Sequence, residues 1–248
     1  MADNQKVILD VQHVTKKFGG LTANEDITIH ANEGEILGII GANGAGKTTL
    51  FNMLSGALPV TSGKIIFNGE EIQNKKASQV CKLGIGRTYQ LVQPFTNMTV
   101  LANVMVGAFV RYPKKEDAQR KAEEVLKFTG LYDIKDVRGN NLTLTQMKRM
   151  EVAKALATEP KLILLDEVTA GVNPKEHPAF MKLVQDIRAS GVTVIIIEHV
   201  MRVIMNISDR MYVLNQGKLI AEGTPAEVAQ NPLVIQSYFG EKKHAENK

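Results

Sequence analysis

Residues 41 to 48 have the composition of a phosphate-binding loop. They read Gly-Ala-Asn-Gly-Ala-Gly-Lys-Thr and fit the pattern G-x-x-x-x-G-K-[ST]. Glycines at this spacing let successive backbone N–H groups converge on phosphate oxygens, and a following helix N-terminus adds partial positive charge. Lys47 would then reach the β- and γ-phosphates of a nucleotide, and the Thr48 hydroxyl would take a magnesium site. The alternative is a glycine turn that binds nothing.

Two acidic residues stand at the end of an apolar run. Residues 162 to 165 read Leu-Ile-Leu-Leu and are followed by Asp166 and Glu167. Open parallel sheets bind their ligands at the carboxyl ends of the strands. Because consecutive side chains of a strand point to opposite sides, Asp166 is predicted to approach the magnesium ion and Glu167 the attacking water. Two acidic residues at the end of a strand often mark only a solvent-exposed strand end. The phosphate loop elsewhere in the chain favours the catalytic interpretation.

A histidine and a glutamine follow two further strand patterns. His199 ends the run Val192 to Ile197, so its imidazole could contact a γ-phosphate or the attacking water, although a structural role is the alternative. Gln90 follows the strand pattern Gly84 to Tyr89, and it could reach the metal or be an ordinary surface glutamine. The other histidines have no spacing typical of a zinc site and are His13, His30, His177 and His244.

The elements that must position these residues follow the order of an α/β protein. Val7 to Val14 alternates apolar with polar residues, and Ile27 and Ile29 continue this alternation to Asn32, which predicts antiparallel β structure. Glu35 to Gly41 is an apolar run entering the glycine loop, typical of a strand buried in a parallel sheet, and a helix is predicted over Gly46 to Ala57. The region Thr99 to Ala157 has helical periodicity, and strand patterns then resume. Close to the end, Thr224 caps a short helix, and Glu241 to Lys248 is expected to fray.

Composition restricts the class of protein. The chain has 248 residues, 44% hydrophobic and 23% charged, which argues against a disordered, collagenous or coiled-coil protein. The longest apolar runs fall far below the roughly 18 residues needed to cross a bilayer, and no secretory signal is evident, so a cytosolic address is expected. The single cysteine, Cys81, permits no intrachain disulfide and is expected to be a small packing residue. The net charge of +4 is scattered and gives little support to nucleic-acid binding.

The phosphate loop, Gln90, Asp166, Glu167 and His199, in this order, resemble an ABC-type ATPase nucleotide-binding domain over nearly the whole chain. Further segments resemble most the ATP-binding subunits of branched-chain amino-acid importers, and lipopolysaccharide-export ATPases share some of them. These segments are Lys17 to Leu21, Arg87 to Gln90 with Phe95, Met98 to Val100, Asn103 to Gly107, Ala170 to Pro174, Ile197 to His199 and Val234 to Glu241.

The resemblance implies an α/β fold in which a RecA-like P-loop NTPase core carries an antiparallel β subdomain and an inserted helical subdomain. It implies one domain over residues 1–248, with a core over about 1–90 and 160–225, a helical subdomain over about 91–159, and a C-terminal helix and tail over about 226–248.

The resemblance also assigns roles to residues, with ATP and Mg²⁺ as cofactors. Phe18 would stack on adenine, with core packing as the alternative. Gln90 would link the nucleotide to the helical subdomain. The catalytic residues would be Glu167, His199 and Lys47. The metal ligands would be Thr48, Gln90 and Asp166. The nucleotide contacts would be Phe18, Gly41, Asn43, Gly44, Ala45, Gly46, Lys47, Thr48, Thr49, Gln90, Asp166, Thr143, Thr145 and Gln146.

Such domains work in pairs, each ATP lying between one phosphate loop and the signature segment of the opposite subunit. The partners implied are a second ATPase subunit, identical or a paralogue, transmembrane permease subunits, and indirectly an extracytoplasmic substrate-binding protein. Asn173 would lie in the segment that crosses to the second subunit. The chain would sit at the cytoplasmic face of the membrane. The permease is expected to contact the surface from Gln90 to Gly107 through Phe95, Met98 and Val100, unless these three are core residues.

The signature segment departs from the family pattern L-S-G-G-Q, because it reads Leu142-Thr-Leu-Thr-Gln146. Thr143 keeps a hydroxyl, but Leu144 and Thr145 add side chains where bare backbone normally approaches the γ-phosphate. Weaker contact with the nucleotide of the partner is therefore expected. Val168 replaces the usual proline after the glutamate, which we expect to matter little.

The function predicted from these features is ATP hydrolysis that energises an ABC transporter, for import of branched-chain or other hydrophobic amino acids. The alternatives are a hydrolysis-impaired regulatory subunit and a lipopolysaccharide-export ATPase. A soluble ABC ATPase of repair or translation would need insertions or fused cassettes that 248 residues do not hold. A GTPase is disfavoured because no N-K-x-D guanine motif is present. Transported molecules meet other subunits, so the cargo rests on the resemblance alone.

Overall fold

The computed structural model describes residues 6–239, which form two β-sheets with helices around them. The ten strands are Val7–Phe18 (β1), Leu21–Asn32 (β2), Ile36–Ile40 (β3), Ser62–Phe67 (β4), Glu70–Glu71 (β5), Ile85–Arg87 (β6), Leu162–Asp166 (β7), Thr193–Ile197 (β8), Arg210–Asn215 (β9) and Lys218–Gly223 (β10). The α-helices within these described residues are Lys47–Leu54 (α1), Ala77–Leu83 (α2), Val100–Ala108 (α3), Lys115–Phe128 (α4), Leu144–Leu156 (α5), His177–Ala189 (α6), Met201–Ile207 (α7), Pro225–Gln230 (α8) and Pro232–Phe239 (α9). Short 3₁₀ turns cover Tyr132–Ile134, Gly139–Asn141 and Pro174–Glu176.

The central sheet has six strands in the order β10-β9-β3-β8-β7-β6. All neighbours pair in parallel except β10, which returns antiparallel to β9. Every residue of β3, β7 and β8 is buried, which explains why these strands are continuous apolar runs. Because the five parallel strands point the same way, the loops that follow β3, β6, β7 and β8 leave from one edge of the sheet.

The two faces of this sheet are covered by different layers. Ile36 and Ile40 of β3 pack with the helices α3 to α7, whereas Leu37 and Ile39 pack with α1 and the antiparallel strands. The alternation follows from the two-residue period of a strand. The second sheet, in the order β2-β1-β4-β5, is antiparallel, as the alternation within Val7 to Val14 and from Ile27 to Asn32 predicts. The α/β class with an added antiparallel sheet is therefore confirmed.

A group of helices stands between β6 and β7. The spacing of Ala118, Ala122, Val125 and Leu126 correctly predicts the buried face of α4, and the helix ends just before Gly130, at φ +70°. α3 lies close against α5, because a Cβ added to Gly107 would meet the carbonyl oxygen of Lys154 at 2.2 Å. The division of the chain into a nucleotide-binding core and a helical subdomain stays a prediction.

Several short elements were not predicted. α2 and α7 are seven residues long, which is less than two full helical turns, and β5 has only two residues. β10 has six residues, but none of them is buried, so it lacks the alternation that identifies a strand. The capping box that opens α8 is as predicted, since Thr224 accepts from the backbone N–H of Glu227 and the Glu227 side chain accepts in return. The predicted fraying from Glu241 to Lys248 lies outside the described residues.

The proposed partner surface needs one correction. Val100 is fully buried as the first residue of α3, so it belongs to the core and cannot supply an outward apolar group. The alternative, that all three residues are core, is also wrong because Phe95 is 46% exposed. Within residues 6–239, no helix combines the length and the apolar character needed to cross a bilayer.

Candidate nucleotide-binding and hydrolysis site

The carboxyl edge of the central sheet brings together the residues that the sequence singles out. The glycine loop leaves β3, Gln90 follows β6, Asp166 ends β7 with Glu167 next to it, and His199 follows β8. These strands are neighbours in the sheet although the residues lie far apart in the chain. A cleft of about 620 Å³ opens over this edge. The cleft is lined by Phe18, Leu21, Thr22, Ala23, Asn43, Gly44, Ala45, Gly46, Lys47, Thr48, Thr49, Gln90, Glu167, His199, Gln216 and Gly217.

Close packing and backbone conformation explain the loop's glycines. Gly46 caps α1 at φ +97°, and a Cβ there would lie 2.5 Å from the Ala23 carbonyl oxygen. A Cβ on Gly41 would lie 2.3 Å from the carbonyl oxygen of Leu214. No other residue type fits either position without moving backbone. The loop therefore keeps the backbone N–H groups at the start of α1 close to the cleft, in the geometry that binds anions.

Lys47 turns back onto the loop that carries it. Its ammonium donates to the carbonyl oxygens of Gly41, at 2.7 Å, and Ala42, at 3.0 Å. The side chain is buried, and this burial lowers the pKa of Lys47, while the carboxylates of Glu167 and Asp166 act in the opposite direction. A cation held at this depth beside two acids is well placed to meet an incoming anion.

Both carboxylate oxygens of Glu167 accept a hydrogen bond from a neighbouring loop. The amide of Gln90 donates to Oε2 at 2.8 Å, and Nε2 of His199 donates to Oε1 at 2.5 Å. An ionised carboxylate only accepts, so it fixes the protonated nitrogen of the imidazole. β7 ends at Asp166, and Glu167 itself has φ +50°. Its direction is therefore set by this left-handed turn rather than by strand alternation, which corrects the predicted reason for its orientation.

Asp166 forms a buried ion pair that was not predicted. Its Oδ2 lies 3.4 Å from the guanidinium of Arg87, whose other amino group donates to Asn52 on α1 and to Ser55, which caps the end of that helix. Burial raises the pKa of Asp166, and the positive charge of Arg87 lowers it. Among the described residues, no group pairs with the buried Oδ1 atom of Asp166. One oxygen is thus held by arginine while the other has unused acceptor capacity.

Phe18 lies at the rim of the cleft rather than in the core. The ring is 45% exposed, and the ammonium of Lys16 stands 5.0 Å from its centroid. The core-packing alternative for Phe18 is therefore wrong. An exposed aromatic face beside the phosphate loop can stack on a planar base.

The signature residues lie elsewhere. Thr143 caps α5 through a reciprocal pair of hydrogen bonds with Gln146, and Thr145 donates to Oε2 of Glu176 at 2.9 Å. Leu144 is exposed beside Gly171. The residues Thr143, Thr145 and Gln146 do not line the phosphate cleft of their own chain within the described structure. Asn173 is likewise exposed and caps the turn Pro174–Glu176.

The residues present suit a metal that takes few protein ligands. No group of three His, Cys, Asp or Glu side chains within residues 6–239 could hold an ion by itself. Mg²⁺ is commonly held by one or two protein oxygens together with phosphate oxygens and water. The unpartnered Oδ1 of Asp166 and the hydroxyl of the exposed Thr48 are oxygen donors of that kind. The donor set therefore fits magnesium bound with a nucleotide.

Sequence reasoning missed two basic residues of the site. From the sequence, Arg87 is only part of a segment that resembles the family, and Lys148 is not singled out as a site residue. Lys148 is buried, and its ammonium donates to the backbone carbonyls of Glu167 and Gln90. α5 reads LTQMKRMEVAKAL, so Lys148 stands among other charged and polar residues, and no local signal in the sequence marks it as buried.

Comparison with known proteins identifies the family. The description "ABC transporter" matches residues 24–170, and "Branched-chain amino acid ATP-binding cassette transporter" matches residues 218–244. The high-affinity branched-chain amino acid transport ATP-binding protein LivG of Salmonella typhimurium is 36% identical over 250 residues, covering 94% of this chain and 98% of LivG. The chain belongs to the ABC transporter ATP-binding family. The predicted family and the predicted ABC ATPase fold are confirmed.

Solved structures agree with this membership. An ATP-binding cassette of an ABC transporter in its ADP conformation has a TM-score of 0.88 and 35% identity, covering 94% of this chain and 99% of that one. A dimeric cassette in a post-hydrolysis state, bound to ADP and Pi, has a TM-score of 0.79 and 25% identity over 88% and 98% of the two chains. This ABC cassette is accordingly an ATP-hydrolysing enzyme, as predicted.

Proposed function

We propose that this ABC cassette binds Mg-ATP, pairs with a second cassette, and hydrolyses ATP to drive a permease that imports branched-chain or other hydrophobic amino acids. The observation that carries the hydrolysis is the Glu167 carboxylate, which lies between Gln90 and His199 at the same sheet edge as the phosphate loop. The cargo is supported by the LivG relative, a branched-chain amino acid transport ATP-binding protein, and by the family match over residues 218–244.

The nucleotide would lie along the cleft of about 620 Å³. Its base would stack on the exposed ring of Phe18. Its phosphates would accept hydrogen bonds from the loop, and Lys47 would exchange its two carbonyl partners for β- and γ-phosphate oxygens. The residues that form this cradle are Gly41, Asn43, Gly44, Ala45, Gly46, Lys47, Thr48 and Thr49.

Thr48, Gln90 and Asp166 would hold magnesium, Asp166 through its unpartnered Oδ1. When bound, the ion would neutralise part of the charge that develops on the phosphate oxygens. Arg87 keeps Asp166 from being an isolated buried charge, because its guanidinium holds the other carboxylate oxygen.

Glu167 would act as the general base. Its carboxylate would take a proton from the attacking water while that water approaches the γ-phosphorus, and His199 would orient the water and the terminal phosphate. The Gln90 amide donates to the Glu167 carboxylate, so the conformation of the Gln90 loop would govern the direction of the base. General-base assistance typically contributes about 10² to 10⁴ in rate.

The second cassette would complete the site. The segment Leu142 to Gln146 lies outside the phosphate cleft of its own chain, which supports a contact with the nucleotide of a partner. Thr143, Thr145 and Gln146 would face that nucleotide. Asn173, in the exposed segment next to Thr145 and Glu176, would meet the same partner.

The permease would dock on a second cleft of about 660 Å³ between α1, α2 and β6 on one side and α3 and α5 on the other. Tyr89 and Leu91 are exposed there, and Gln90, Thr48 and Asp166 line its inner end. Phe95 lies next to this cleft, because the ammonium of Lys154, which lines it, stands 5.1 Å from the centroid of the Phe95 ring. Met98 would contribute from the same loop. Docking would hold the cassette at the cytoplasmic face of the membrane, with an extracytoplasmic substrate-binding protein on the other side.

Uptake by cells that normally make the chain tests the cargo. Cells that lack the chain, complemented with either the wild type or Glu167→Gln, are assayed with labelled leucine, isoleucine and valine. We expect ATP-dependent uptake with the wild type and none with Glu167→Gln at equal expression. If uptake of these amino acids is unaffected while the purified chain hydrolyses ATP, the cargo is wrong and the hydrolysis proposal stands. Lipopolysaccharide export is the alternative cargo to measure in that event.

A further inference from the structure

Lys148 lies two residues after the signature segment Leu142 to Gln146, and its buried ammonium contacts the backbone of the proposed base Glu167. It is on α5, and its side chain is almost fully inaccessible. Nζ donates to the backbone carbonyl oxygen of Glu167 at 2.8 Å and to that of Gln90 at 3.2 Å. A buried ammonium normally pairs with a carboxylate, but this one contacts two peptide groups. Lys148 therefore fixes the backbone conformation at Glu167 and Gln90 and does not neutralise a side-chain charge by direct contact.

The two peptide groups belong to the two residues whose side chains meet. The Gln90 amide donates to Oε2 of Glu167, while the backbone carbonyls of both residues accept from Lys148. The three residues thus form a closed ring of hydrogen bonds. They come from the loop after β6, the end of β7 and the helix α5, which are far apart in sequence.

The conformation of Glu167 explains why such an anchor is useful. Its φ of +50° lies in the left-handed region, which costs energy for a residue with a Cβ. Its backbone N–H donates to the carbonyl of Ile197 at 2.9 Å, and its own carbonyl accepts from Lys148. Both peptide groups that flank this strained residue are therefore fixed from outside. The direction of the carboxylate follows from their positions.

Lys148 also connects the direction of the Glu167 carboxylate to the position of the signature segment. Thr143 caps the helix that carries Lys148, so the two lie within the first turns of α5. A rigid shift of α5 would move the signature segment and the ammonium together. The hydrogen bonds from Lys148 to the backbone of Glu167 and Gln90 would then lengthen or shorten with the position of α5.

We propose that Lys148 is a positioning residue that aims the Glu167 carboxylate and makes this aim depend on the placement of the signature helix. The inference rests on the proposed role of Glu167 as general base. Burial lowers the pKa of Lys148, and the acids Glu198, Glu167 and Asp166 oppose that effect.

The adjacent Arg149 offers a matched control. It is on the same helix, and its guanidinium also donates to a backbone carbonyl, that of Thr129 at 3.2 Å. It lies against the ring of Phe180, 5.4 Å from the centroid, away from the phosphate cleft. Removing its charge therefore tests the loss of a cation and of a carbonyl contact without touching Glu167.

The first measurement compares kcat with ATP affinity in the full chain. Lys148→Met keeps most of the apolar stem and removes the ammonium. We expect its kcat to fall about 10- to 100-fold, since a small misplacement of a reacting group has effects of this size. The dissociation constant for a non-hydrolysable ATP analogue should stay within about twofold, because the phosphate loop is untouched. Lys148→Arg should recover most of the rate, and Arg149→Met should stay close to the wild type.

A double variant gives the decisive readout. If Lys148 acts only through Glu167, then Lys148→Met should cause no further loss of kcat in the Glu167→Gln background. Hydrogen exchange gives a reading that does not need hydrolysis. Lys148→Met should raise exchange in the peptides around Gln90 and Glu167, and Arg149→Met should not.

Each outcome has one meaning. An unchanged kcat in Lys148→Met, an additive loss in the double variant, or a uniform rise in exchange along the chain overturns the positioning role and leaves the base in place. If Glu167→Gln hydrolyses ATP at the wild-type rate, the proposed base is wrong, and the role of Lys148 falls with it. If Lys148→Met does not fold, the comparison of Lys148→Arg with the wild type decides, since rescue requires a cation at this position.

Discussion

The catalytic edge and the signature segment of this chain are built in opposite ways. At the catalytic edge, Asp166, Lys47 and Glu167 are between 1% and 7% exposed, and each has partners inside the chain. At the signature segment, Leu144 is 41% exposed and Thr143 is open to solvent. The first region is closed around its charges, whereas the second presents polar and apolar groups outward.

The two regions differ in where their interaction partners come from, which is the same chain at the catalytic edge and a second cassette, as proposed, at the signature segment. Charges buried at the catalytic edge must be paired in the absence of substrate, because an isolated buried charge is costly. Arg87 pairs with the carboxylate of Asp166, and Gln90 and His199 donate to that of Glu167. The signature segment buries no charge, so leaving it exposed until a second cassette binds costs little free energy. Substitutions should therefore have large effects at the first region and small ones at the second.

Glu167→Gln should have the largest effect. The amide keeps the size of the side chain but cannot take a proton, so kcat should fall by about 10² to 10⁴ while ATP affinity is retained. Steady-state hydrolysis and direct ATP titration measure the two quantities. Glu124→Gln, on the exposed surface of α4, is the control and should behave as the wild type. Unchanged turnover in Glu167→Gln would move the base to another residue.

Arg87→Met should have the next largest effect, on stability. The substitution leaves the buried Asp166 without its cation, and breaking a buried pair costs about 3 to 5 kcal/mol. The free energy of unfolding, from urea titration, measures the loss. The double variant Arg87→Met with Asp166→Asn removes both charges and should be more stable than Arg87→Met alone. If the two variants unfold at the same denaturant concentration, the pair does not stabilise the edge.

Lys47→Ala should weaken ATP binding. A hydrogen bond to a charged group contributes about 1.5 to 3 kcal/mol, which corresponds to a loss of affinity of about 10- to 150-fold. The protein should remain folded, because the partners of Lys47 are backbone carbonyls near the open cleft. Calorimetric titration with Mg-ATP measures the affinity, and Lys64→Ala, on an exposed strand, is the control. Tight ATP binding by Lys47→Ala would contradict the assignment of the loop.

Most of the catalytic edge is predictable because it follows from local pattern and one rule of sheets. The runs that end at Ile40, Leu165 and Ile197 are apolar enough to be identified as buried strands. Parallel strands carry their ligand residues at a common edge, so the grouping of Lys47, Glu167 and His199 did not need the structure. The contacts between these groups did need it.

The remainder depends on strand order and on long-range contacts. Arg87 meets Asp166 because β6 lies next to β7, and no local pattern contains that order. Lys148 is one of many buried positions on α5, so the helix has no clear polar face from which a buried lysine would stand out. The contact of Thr145 with Glu176 spans 31 residues. Val100 was wrongly placed on the surface, because an apolar residue at a helix start fits either environment.

The smallest effect is expected at the signature segment, where Leu144→Gly with Thr145→Gly restores the family glycines. The backbone N–H groups at the start of α5 could then approach the γ-phosphate of the partner without obstruction by Cβ atoms. ATPase activity should rise a few fold, and in a Glu167→Gln background more ATP-bound dimer should sediment. The two glycines cost helix propensity, about 1 kcal/mol each, so the unfolding free energy should fall slightly. The Thr145 hydroxyl already donates to Glu176, which leaves it less able to contact a phosphate. This contact favours the view that the native side chains obstruct the γ-phosphate over the view that they bind it.

The single variants Leu144→Gly and Thr145→Gly separate the effects of the two side chains. If the double variant shows equal or lower activity and no extra dimer, the native threonines are competent phosphate ligands. The altered segment would then give no reason to regard this cassette as impaired in hydrolysis. The difference in exposure between the catalytic edge and the signature segment would then affect the stability of the chain but not its rate of hydrolysis.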